Sequence, residues 1–527
     1  MKVLISDPIT DEGLSILKNA GLDIIYLPES SNADLKDVVN EVVQAWIIRS
    51  GTEINDGMIK SAKNLQVIGR AGVGVDNIDI SSATRNGIVV MNTPDVNTIS
   101  AAEHTLGLML TLSRNIHYGH SGLEKGEWNR HQLVGTELQN KSLGIVGLGK
   151  IGREVMNRCK AFNMNMLGYD PYIKQEMFSE DEIKIVDLET LTSEADYITL
   201  HVPLNAQTRD LFNYNRLCSM KPSARIINVA RGGIINEADL AKALKEGKIS
   251  GAAIDVFTKE PIENDHPLVG IPGVVLSPHL GASTKEAKEG VSRAICEQVR
   301  DCLLHDKLTN ALNMPISDLD KLKENKPYFD LAEILGHIQS QIAEGPISYV
   351  SIECFGTANE IKPISLAFLK GLLKSHVPER INYINAETIA RELGVVVDLR
   401  YSSTETSYIN LISSKVTLND SDYRLDGSVF NDRHPRLVNI LGREMDVTPR
   451  GTMLLVENND VPGVIGKVGT LLGNLSINIA AYLLNRNEEK GKAFSVIRVD
   501  SRLSQSDLKI LAKLKDIQSV KQIKVTN

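Results

Sequence analysis

The sequence is poor in the features that mark secreted, membrane-spanning and nucleic-acid-binding proteins. Its 527 residues include only 5 cysteines, odd in number and scattered, which argues against a disulfide framework and favours a cytoplasmic protein. No stretch approaches the roughly 18 consecutive apolar residues of a membrane span. Aromatic residues make up 5%, the net charge is −8 and no basic block is present, so neither membrane nor nucleic acid is expected as a partner. The thiols predicted to be free, in or near cores, are Cys159, Cys218, Cys296, Cys302 and Cys354.

What the chain does have is the composition of a globular protein and the length of several domains. Hydrophobic residues make up 42% and charged residues 24%, which is typical of folded domains. At about 100–200 residues per domain, three or four domains are expected. The N-terminal apolar run ends at Asp7 and is too short for a secretory signal.

Two parts of the chain, residues 1–97 and 98–280, alternate short apolar runs with amphipathic segments. This alternation predicts two doubly wound α/β lobes, each a parallel sheet covered by helices on both faces. A helix predicted at Lys285–Leu304 returns the chain to the first lobe, so residues 281–308 are assigned to that lobe. Two lobes joined by two crossings form a cleft, where ligands usually bind. The predicted strands are Lys2–Ser6, Asp23–Leu27, Ala45–Ile48, Val67–Gly69, Ile88–Asn92, Ser142–Val146, Asn165–Tyr169, Tyr197–Leu200, Arg225–Val229, Gly251–Asp255 and Val274–Leu276.

The rest of the chain has a different character. Residues 309–450 mix helical and strand patterns and predict an α+β intervening domain without a catalytic motif. Residues 451–527 follow the order βαββαβ, which is the ferredoxin-like plan. The predicted elements of this last domain are, in order, Thr452–Asn458, Gly463–Leu472, Ile477–Asn485, Lys492–Val499, Gln505–Leu514 and Val520–Val525.

A glycine motif predicts a dinucleotide site in the second lobe. Gly147, Gly149 and Gly152 form G-x-G-x-x-G between a predicted strand and a predicted helix, and Asp170 ends the next strand. Glycine permits the tight turn, the close approach of a pyrophosphate and the packing of helix on strand, while the helix N-terminus attracts the phosphates. A carboxylate at Asp170 accepts hydrogen bonds from ribose hydroxyls and repels a 2′-phosphate. The motif therefore predicts NAD, rather than NADP, as the cofactor.

Three polar residues follow predicted strands of the same lobe, where the carboxyl ends of strands line the ligand crevice. They are Arg231, Glu260 and His279. A guanidinium binds a carboxylate as a planar fork, an imidazole takes a hydroxyl proton as hydride leaves carbon, and a carboxylate behind the imidazole orients it and stabilises its protonated form. Together they predict hydride transfer from an α-hydroxy acid, although each alone is also typical of a structural residue. No metal is expected, since no second ligand lies at suitable spacing from His279.

The segments around these residues resemble the signatures of the D-2-hydroxyacid dehydrogenases. The resemblance spans residues 1–308 and rests on the glycine turn and three segments in the family's order: Asn228–Gly233, Asp255–Pro261 and Ser277–Ala282. It implies that Arg231 orients the substrate, that Glu260 supports the histidine and that His279 is the acid and base. It also implies that further residues lie along the pyrophosphate and nicotinamide of the cofactor: Lys150, Ile151, Val73, Val202, Val229, Ala230, Asp255, Gly281 and Ala282.

In this family the first lobe binds the substrate, and here it carries two arginines that each follow a predicted strand. Arg49 and Arg70 suit a second anionic group such as a phosphate, with surface ion pairs as the alternative. The positions resemble those of the branch that oxidises D-3-phosphoglycerate to 3-phosphooxypyruvate with NAD, the first committed step of L-serine biosynthesis. The resemblance implies a substrate site of Arg49, Ser50, Arg70, Gly72 and Asn97. Another small 2-hydroxy or 2-oxo acid, such as glyoxylate or hydroxypyruvate, and a non-catalytic sensor of NAD or an amino acid stay open.

The C-terminal domain resembles an ACT domain, a module that senses amino acids. The resemblance lies in Asn459–Gly469 and implies an L-serine effector that contacts Asn458, Asp460 and Asn478. Asp460 is also interpreted as the cap of the following helix, because it lies at the junction of a predicted strand and helix. The full layout further implies a homodimer or homotetramer that associates through the nucleotide-binding domains.

Overall fold

The computed structural model describes residues 1–525 apart from residues 29, 40–42, 180, 317–324, 379, 420, 432 and 488–490. Within this part of the chain the strands form four sheets, of five, seven, six and four strands. None of the helices described is both long and apolar enough to cross a bilayer.

The first sheet lies in the N-terminal lobe and is parallel throughout. Its strands are β1 (Lys2–Ile5), β2 (Asp23–Tyr26), β3 (Ala45–Ile48), β4 (Val67–Arg70) and β5 (Val89–Met91). The helices between them are α1 (Asp11–Asn19), α2 (Asn32–Val39), α3 (Asp56–Ser61) and α4 (Ile80–Arg85). The strand order is β2-β1-β3-β4-β5, and the five predicted strands are confirmed to within a residue or two.

The second sheet is also parallel throughout. Its strands are β6 (Ser142–Val146), β7 (Asn165–Tyr169), β8 (Lys184–Ile185), β9 (Tyr197–Leu200), β10 (Arg225–Asn228), β11 (Gly251–Ile254) and β12 (Val274–Leu276). The helices that accompany it are α5 (Thr98–Arg114), α6 (Ile116–Glu124), α7 (Lys150–Lys160), α8 (Leu188–Glu194), α9 (Tyr214–Cys218) and α10 (Glu237–Lys245). The strand order is β12-β11-β10-β9-β6-β7-β8. Sequence analysis missed β8, whose two residues are too few to show a pattern.

Both lobes are doubly wound, as predicted. Every residue of β3 and of β9 is buried, because helices cover both faces of a parallel sheet. In the second sheet the strand order reverses between β6 and β9. At such a reversal the connecting segments diverge to opposite faces and leave a crevice at the carboxyl ends of the strands.

A long helix, α11 (Lys285–His305), carries the chain back to the first lobe. Its residues Val291, Ile295 and Val299 belong to the core of that lobe. A methyl group built at Gly69 of β4 would lie 2.8 Å from the Val299 side chain, so glycine permits the close packing of α11 on this strand.

The third sheet is mixed. Its strands are β13 (Tyr349–Gly356), β14 (Val396–Ser402), β15 (Asn410–Leu418), β16 (Ser421–Phe430), β17 (His434–Ile440) and β18 (Arg443–Val447), in the order β14-β13-β15-β16-β17-β18. Only the β13–β14 pair is parallel. The helices of this region are α12 (Lys326–Ile342), α13 (Ile361–Leu373) and α14 (Ala386–Glu392).

The fourth sheet has the predicted ferredoxin-like plan. Its elements are β19 (Gly451–Asn459), α15 (Val464–Asn474), β20 (Ile479–Asn487), β21 (Lys492–Val499), α16 (Gln505–Ala512) and β22 (Ile517–Val525). The strands are antiparallel, in the order β20-β21-β19-β22. One face packs on α15 and α16, and the other face joins the core of the third region through residues such as Met453 and Leu455. This antiparallel domain fits the expected ACT domain.

Two details qualify the expectations from sequence. The prediction that all five thiols lie in or near cores is wrong for Cys218, which is the exposed last residue of α9, next to the buried Leu217. The predicted domain boundaries at 97/98, 280/281, 308/309 and 450/451 remain predictions.

Candidate active site

The three predicted catalytic side chains follow three neighbouring strands. Arg231 comes after β10, Glu260 after β11 and His279 after β12, and these strands are adjacent and parallel. Their carboxyl ends therefore meet at one edge of the sheet. Nδ1 of His279 lies 2.6 Å from a carboxylate oxygen of Glu260, and Arg231 lines the same cleft.

Glu260 is held as an anion behind the imidazole. Burial by itself would raise the pKa of Glu260, but hydrogen bonds from His279 and from the Phe257 N–H outweigh it and hold the pKa below its usual value. The second carboxylate oxygen accepts the Phe257 N–H at 2.9 Å. An ionised carboxylate on Nδ1 fixes the proton there, so Nε2 is the nitrogen that exchanges a proton with a substrate.

His279 has a left-handed backbone, with φ of 54°, a conformation that is uncommon for residues other than glycine. The buried Asp255 carboxylate stabilises this turn by accepting the N–H groups of Leu280 at 2.8 Å and Gly281 at 2.9 Å. The same carboxylate contacts Nε2 of His104 at 3.1 Å. Burial would raise the pKa of Asp255, but the hydrogen bonds from His104, Ser277 and Leu280 bring it below its usual value. Asp255 therefore holds the turn that places His279 in the cleft.

His104 was missed by sequence analysis. It lies on α5, 151 positions before Asp255 in the chain. A histidine on an amphipathic helix gives no local sign of a partner so distant in the sequence.

The predicted substrate residues line the same cleft as the catalytic side chains. The cavity has a volume of about 840 Å³ and is lined by Arg49, Ser50, Arg70, Gly72 and Asn97 together with Arg231, Glu260 and His279. It lies between the two lobes, where small-molecule sites commonly form.

The turn that carries Arg49 and Ser50 is fixed by two polar side chains of the first lobe. The Asp7 carboxylate accepts the N–H groups of Arg49 at 2.6 Å and Thr52 at 3.1 Å. The Asn77 amide donates to the carbonyl groups of the same two residues, at 2.7 and 2.6 Å. Neither Asp7 nor Asn77 was singled out from the sequence for this role.

Arg70 is half-buried beside two other arginines. Burial lowers its pKa to about 10, and the charges of Arg231 and Arg49 contribute to the shift. It therefore remains a cation near neutral pH. Its Nε is buried and has no hydrogen-bond partner in the described part of the chain. Three mutually repelling guanidinium groups around one cavity favour an anionic ligand.

The glycine-rich turn after β4 makes room for two of these arginines. A methyl group built at Gly72 would lie 1.5 Å from the Arg70 guanidinium, and one built at Gly74 would lie 1.9 Å from that of Arg231. Arg231 also forms an ion pair with Asp76 of the same turn, with Nε 3.0 Å from the carboxylate. The turn thus packs against the arginine that reaches across from the other lobe.

The last predicted substrate residue, Asn97, lies where the chain crosses between the lobes. Its side-chain oxygen is buried without a partner among the described residues, and the residue lines the cleft. An unpartnered acceptor of this kind is costly unless a ligand supplies a donor.

The glycine turn between β6 and α7 has the space that a dinucleotide needs. Gly147 has φ of 95°, and a methyl group built on it would lie 2.5 Å from the His201 carbonyl oxygen. A methyl group at Gly152 would lie 2.1 Å from the Gly147 carbonyl oxygen, whereas nothing lies within 4 Å of one at Gly149. Gly149 is the N-cap of α7 and no side chain caps this helix, so its first N–H groups are available to a pyrophosphate.

Asp170 stands at the end of β7, beside this turn. One carboxylate oxygen accepts the Leu148 N–H at 3.0 Å, and the other accepts the Tyr172 N–H at 2.9 Å. These bonds orient the carboxylate and leave it free lone pairs for ribose hydroxyls. The residues present therefore fit NAD.

The other predicted cofactor residues lie at or near the same edge of the sheet. Lys150 and Ile151 begin α7, and Lys150 forms an ion pair with Asp95 at the lobe crossing. Val202 follows β9, Val229 and Ala230 follow β10, and Gly281 and Ala282 follow β12, while Val73 and Ala282 line the cleft. Their contacts with the cofactor remain predictions.

The predicted effector residues are only partly brought together. Asn458 and Asp460 line a cavity of about 300 Å³ at the junction of β19 and α15, whereas Asn478 is exposed before β20 and does not line it. The interpretation of Asp460 as a helix cap is wrong, because Gly463 is the N-cap of α15 and no side chain caps it. The Asp460 carboxylate instead forms an ion pair with Arg486, at 2.8 Å.

The comparisons with known proteins agree with this geometry. The NAD-binding domain model of the D-isomer-specific 2-hydroxyacid dehydrogenases matches residues 106–281, which confirms NAD as the cofactor. The D-3-phosphoglycerate dehydrogenase intervening-domain model matches residues 324–441.

Relatives match over the full length. The chain is 38% identical to D-3-phosphoglycerate dehydrogenase of Methanocaldococcus jannaschii, over 100% of both chains. It is 39% identical to that of Synechocystis sp., over 99% of this chain and 95% of the relative. The NAD complex of formate dehydrogenase from Staphylococcus aureus is 30% identical, with a TM-score of 0.54 over 59% of this chain and 98% of that one. The chain therefore belongs to the D-3-phosphoglycerate dehydrogenase family, among the D-isomer-specific 2-hydroxyacid dehydrogenases.

Proposed function

We propose that the chain oxidises D-3-phosphoglycerate to 3-phosphooxypyruvate with NAD, as the first committed step of L-serine biosynthesis. The observation that carries the proposal is the meeting of Arg49, Arg70 and Arg231 with the Glu260–His279 pair in one cleft. The substrate carries a carboxylate, a phosphate and a hydroxyl group, and the cleft offers a matching group for each.

The chemistry removes a hydride from C2 of the substrate and a proton from the C2 hydroxyl. Bound NAD supplies the hydride acceptor. Arg231 binds the substrate carboxylate and holds C2 beside the imidazole. Nε2 of His279 accepts the hydroxyl proton, and the Glu260 carboxylate, 2.6 Å from Nδ1, stabilises the imidazolium that forms.

The phosphate is assigned to the first lobe. Arg70 presents a buried Nε without a partner in the described residues, and Arg49 and the glycine-rich turn border the same space. Arginine pairs with phosphate through parallel N–H bonds, and a dianion offsets the repulsion among the three guanidinium groups.

Initial rates of NADH formation test this assignment. D-Glycerate is the matched control substrate, since it lacks only the phosphate, and D-lactate lacks the C3 hydroxyl as well. We expect kcat/KM for D-3-phosphoglycerate to exceed that for D-glycerate at least about 100-fold, because the lost charge-assisted bonds are worth about 3 kcal/mol. Equal turnover of D-glycerate would reject the phosphate site and favour another 2-hydroxy acid. NADH binding without turnover of any acid would favour a sensor.

We also propose that the chain forms a homodimer or homotetramer through its nucleotide-binding domains. Large apolar side chains are exposed on α6 and the segment after it: Ile116 (53%), Leu123 (58%), Trp128 (79%) and Val134 (81%). Several large apolar side chains left exposed within one segment of the chain favour a protein interface there. Light scattering at micromolar concentration should give at least twice the chain mass of 57.9 kDa, and a monomer mass would contradict the proposal.

L-Serine is proposed as an effector at the cavity beside Asp460. An amino acid carries both an ammonium and a carboxylate group, and the Asp460–Arg486 ion pair that borders the cavity offers both opposite charges. Calorimetric titration should detect L-serine binding that Asp460→Asn weakens. Absence of heat with the unmodified protein, against D-serine as the control, would contradict the effector role.

A further inference from the structure

Another carboxylate–imidazole pair lies behind the segment that carries Glu260. Glu237, the first residue of α10, has a carboxylate oxygen 2.9 Å from Nε2 of His266. Their side chains are only 16% and 11% exposed, and neither borders the cleft. Burying a carboxylate costs free energy unless hydrogen bonds and charges compensate for it. The partners of Glu237 therefore indicate what the pair does in the molecule.

Glu237 holds the segment between β11 and Glu260. Its other carboxylate oxygen accepts both the N–H of Thr258, at 2.6 Å, and the hydroxyl of Thr258, at 2.8 Å. The preceding residue, Phe257, donates its N–H to Glu260. Glu237 therefore fixes the backbone on which the catalytic carboxylate depends, two residues before that carboxylate.

His266 completes the arrangement from the far end of the same loop. Its Nδ1 accepts the Leu268 N–H at 3.3 Å, so Nε2 carries the proton and donates to Glu237. The ring also packs edge-on against Phe257, with ring centroids 5.3 Å apart. One imidazole thus contacts both the carboxylate that holds Thr258 and the residue that donates to Glu260.

The turn that carries Arg231 packs closely against the segment between β11 and Glu260. A methyl group built at Gly232 would lie 2.0 Å from the Phe257 carbonyl group. Glu237 follows that turn by five residues and lies at the positive end of α10, which stabilises its negative charge. The turn that carries Arg231 and the segment that carries Glu260 therefore both lie against the N-terminus of α10.

We propose that Glu237 and His266 are positioning residues that hold the Glu260 carboxylate against His279. This inference rests on the proposed function, in which that contact orients the acid–base imidazole. The catalytic hydrogen bond is 2.6 Å long, and a displacement of about 1 Å removes it. A loop held only by its own backbone does not keep a side chain to that tolerance.

Kinetics of Glu237→Ala and Glu237→Gln test the proposal, with Glu246→Ala at the other end of α10 as the matched control. Glu237→Ala should lower kcat about 10- to 100-fold while the KM for NAD stays within about 3-fold of the unmodified enzyme. The acid limb of the kcat/KM profile should move to lower pH, in the direction expected for Glu260→Gln, because a displaced carboxylate stabilises the imidazolium less. Glu237→Gln keeps an oxygen that can accept the Thr258 N–H. Its kcat should therefore lie between that of Glu237→Ala and that of the unmodified enzyme.

A measurement without substrate separates this proposal from the proposed function. In protein labelled with ¹⁵N-histidine, the Nδ1–H resonance of His279, assigned by its loss in His279→Asn, reports the bond to Glu260. Glu237→Ala and His266→Ala should shift or broaden it, and Glu246→Ala should not. An unchanged resonance with unchanged kcat and acid limb would overturn the positioning role. Loss of NADH binding together with activity would also overturn it, in favour of a merely structural role.

Discussion

Replacing His279 with asparagine is expected to lower the turnover of D-3-phosphoglycerate about 10²- to 10⁴-fold. Asparagine is the substitution of choice because residue 279 has φ of 54°, a conformation that asparagine adopts more readily than alanine. The amide cannot take up the hydroxyl proton, so the reaction loses its general base. Steady-state NADH formation measures the loss, and fluorescence titration measures NADH binding.

NADH binding should persist in His279→Asn, because the glycine turn that precedes α7 does not depend on the imidazole. The matched control is His434→Asn, at a residue that is exposed at the start of β17 and lies outside both lobes; this variant should keep the unmodified rate. If His279→Asn fails to bind NADH, the histidine is structural and the assigned chemistry is wrong. A rate within 10-fold of the unmodified enzyme would likewise contradict the acid–base role.

Replacing Arg231 with lysine is expected to lower kcat/KM for D-3-phosphoglycerate about 100-fold. Lysine keeps the positive charge but not the planar fork that binds a carboxylate through two parallel bonds. Removing one partner of a buried, charge-assisted contact costs about 3 kcal/mol, and each 1.4 kcal/mol is a factor of about 10. Initial rates over a range of substrate concentrations give the value, and NADH titration should show unchanged affinity.

The control for charge and size is Arg293→Lys, at an arginine that is 53% exposed and pairs with Glu12. A surface ion pair of this kind contributes little, so its kinetics should not change. If Arg231→Lys keeps kcat/KM within 3-fold, another group binds the substrate carboxylate.

Much of the fold followed from local patterns. The strands of both lobes, the glycine turn before α7 and the βαββαβ order of the last domain were predicted within a few residues, because each depends on periodicity or turn chemistry over a short stretch. The placement of Arg231, Glu260 and His279 at one edge of a sheet also followed, since parallel strands bring their carboxyl ends together. The two-residue strand β8 was missed because it is too short to have a period.

Sequence alone therefore determined the family resemblance, the fold class, the cofactor and the candidate catalytic residues. Tertiary structure decided how those residues are supported: His104 beneath Asp255, the room that Gly72 and Gly74 leave for Arg70 and Arg231, and the Asp460–Arg486 pair where a helix cap was expected. Two of these contacts join residues far apart in the chain: His104 and Asp255 are 151 positions apart, and Asp76 of the glycine-rich turn and Arg231 are 155 positions apart. Local propensity carries no information about such pairs, because they form only when separate elements pack against one another.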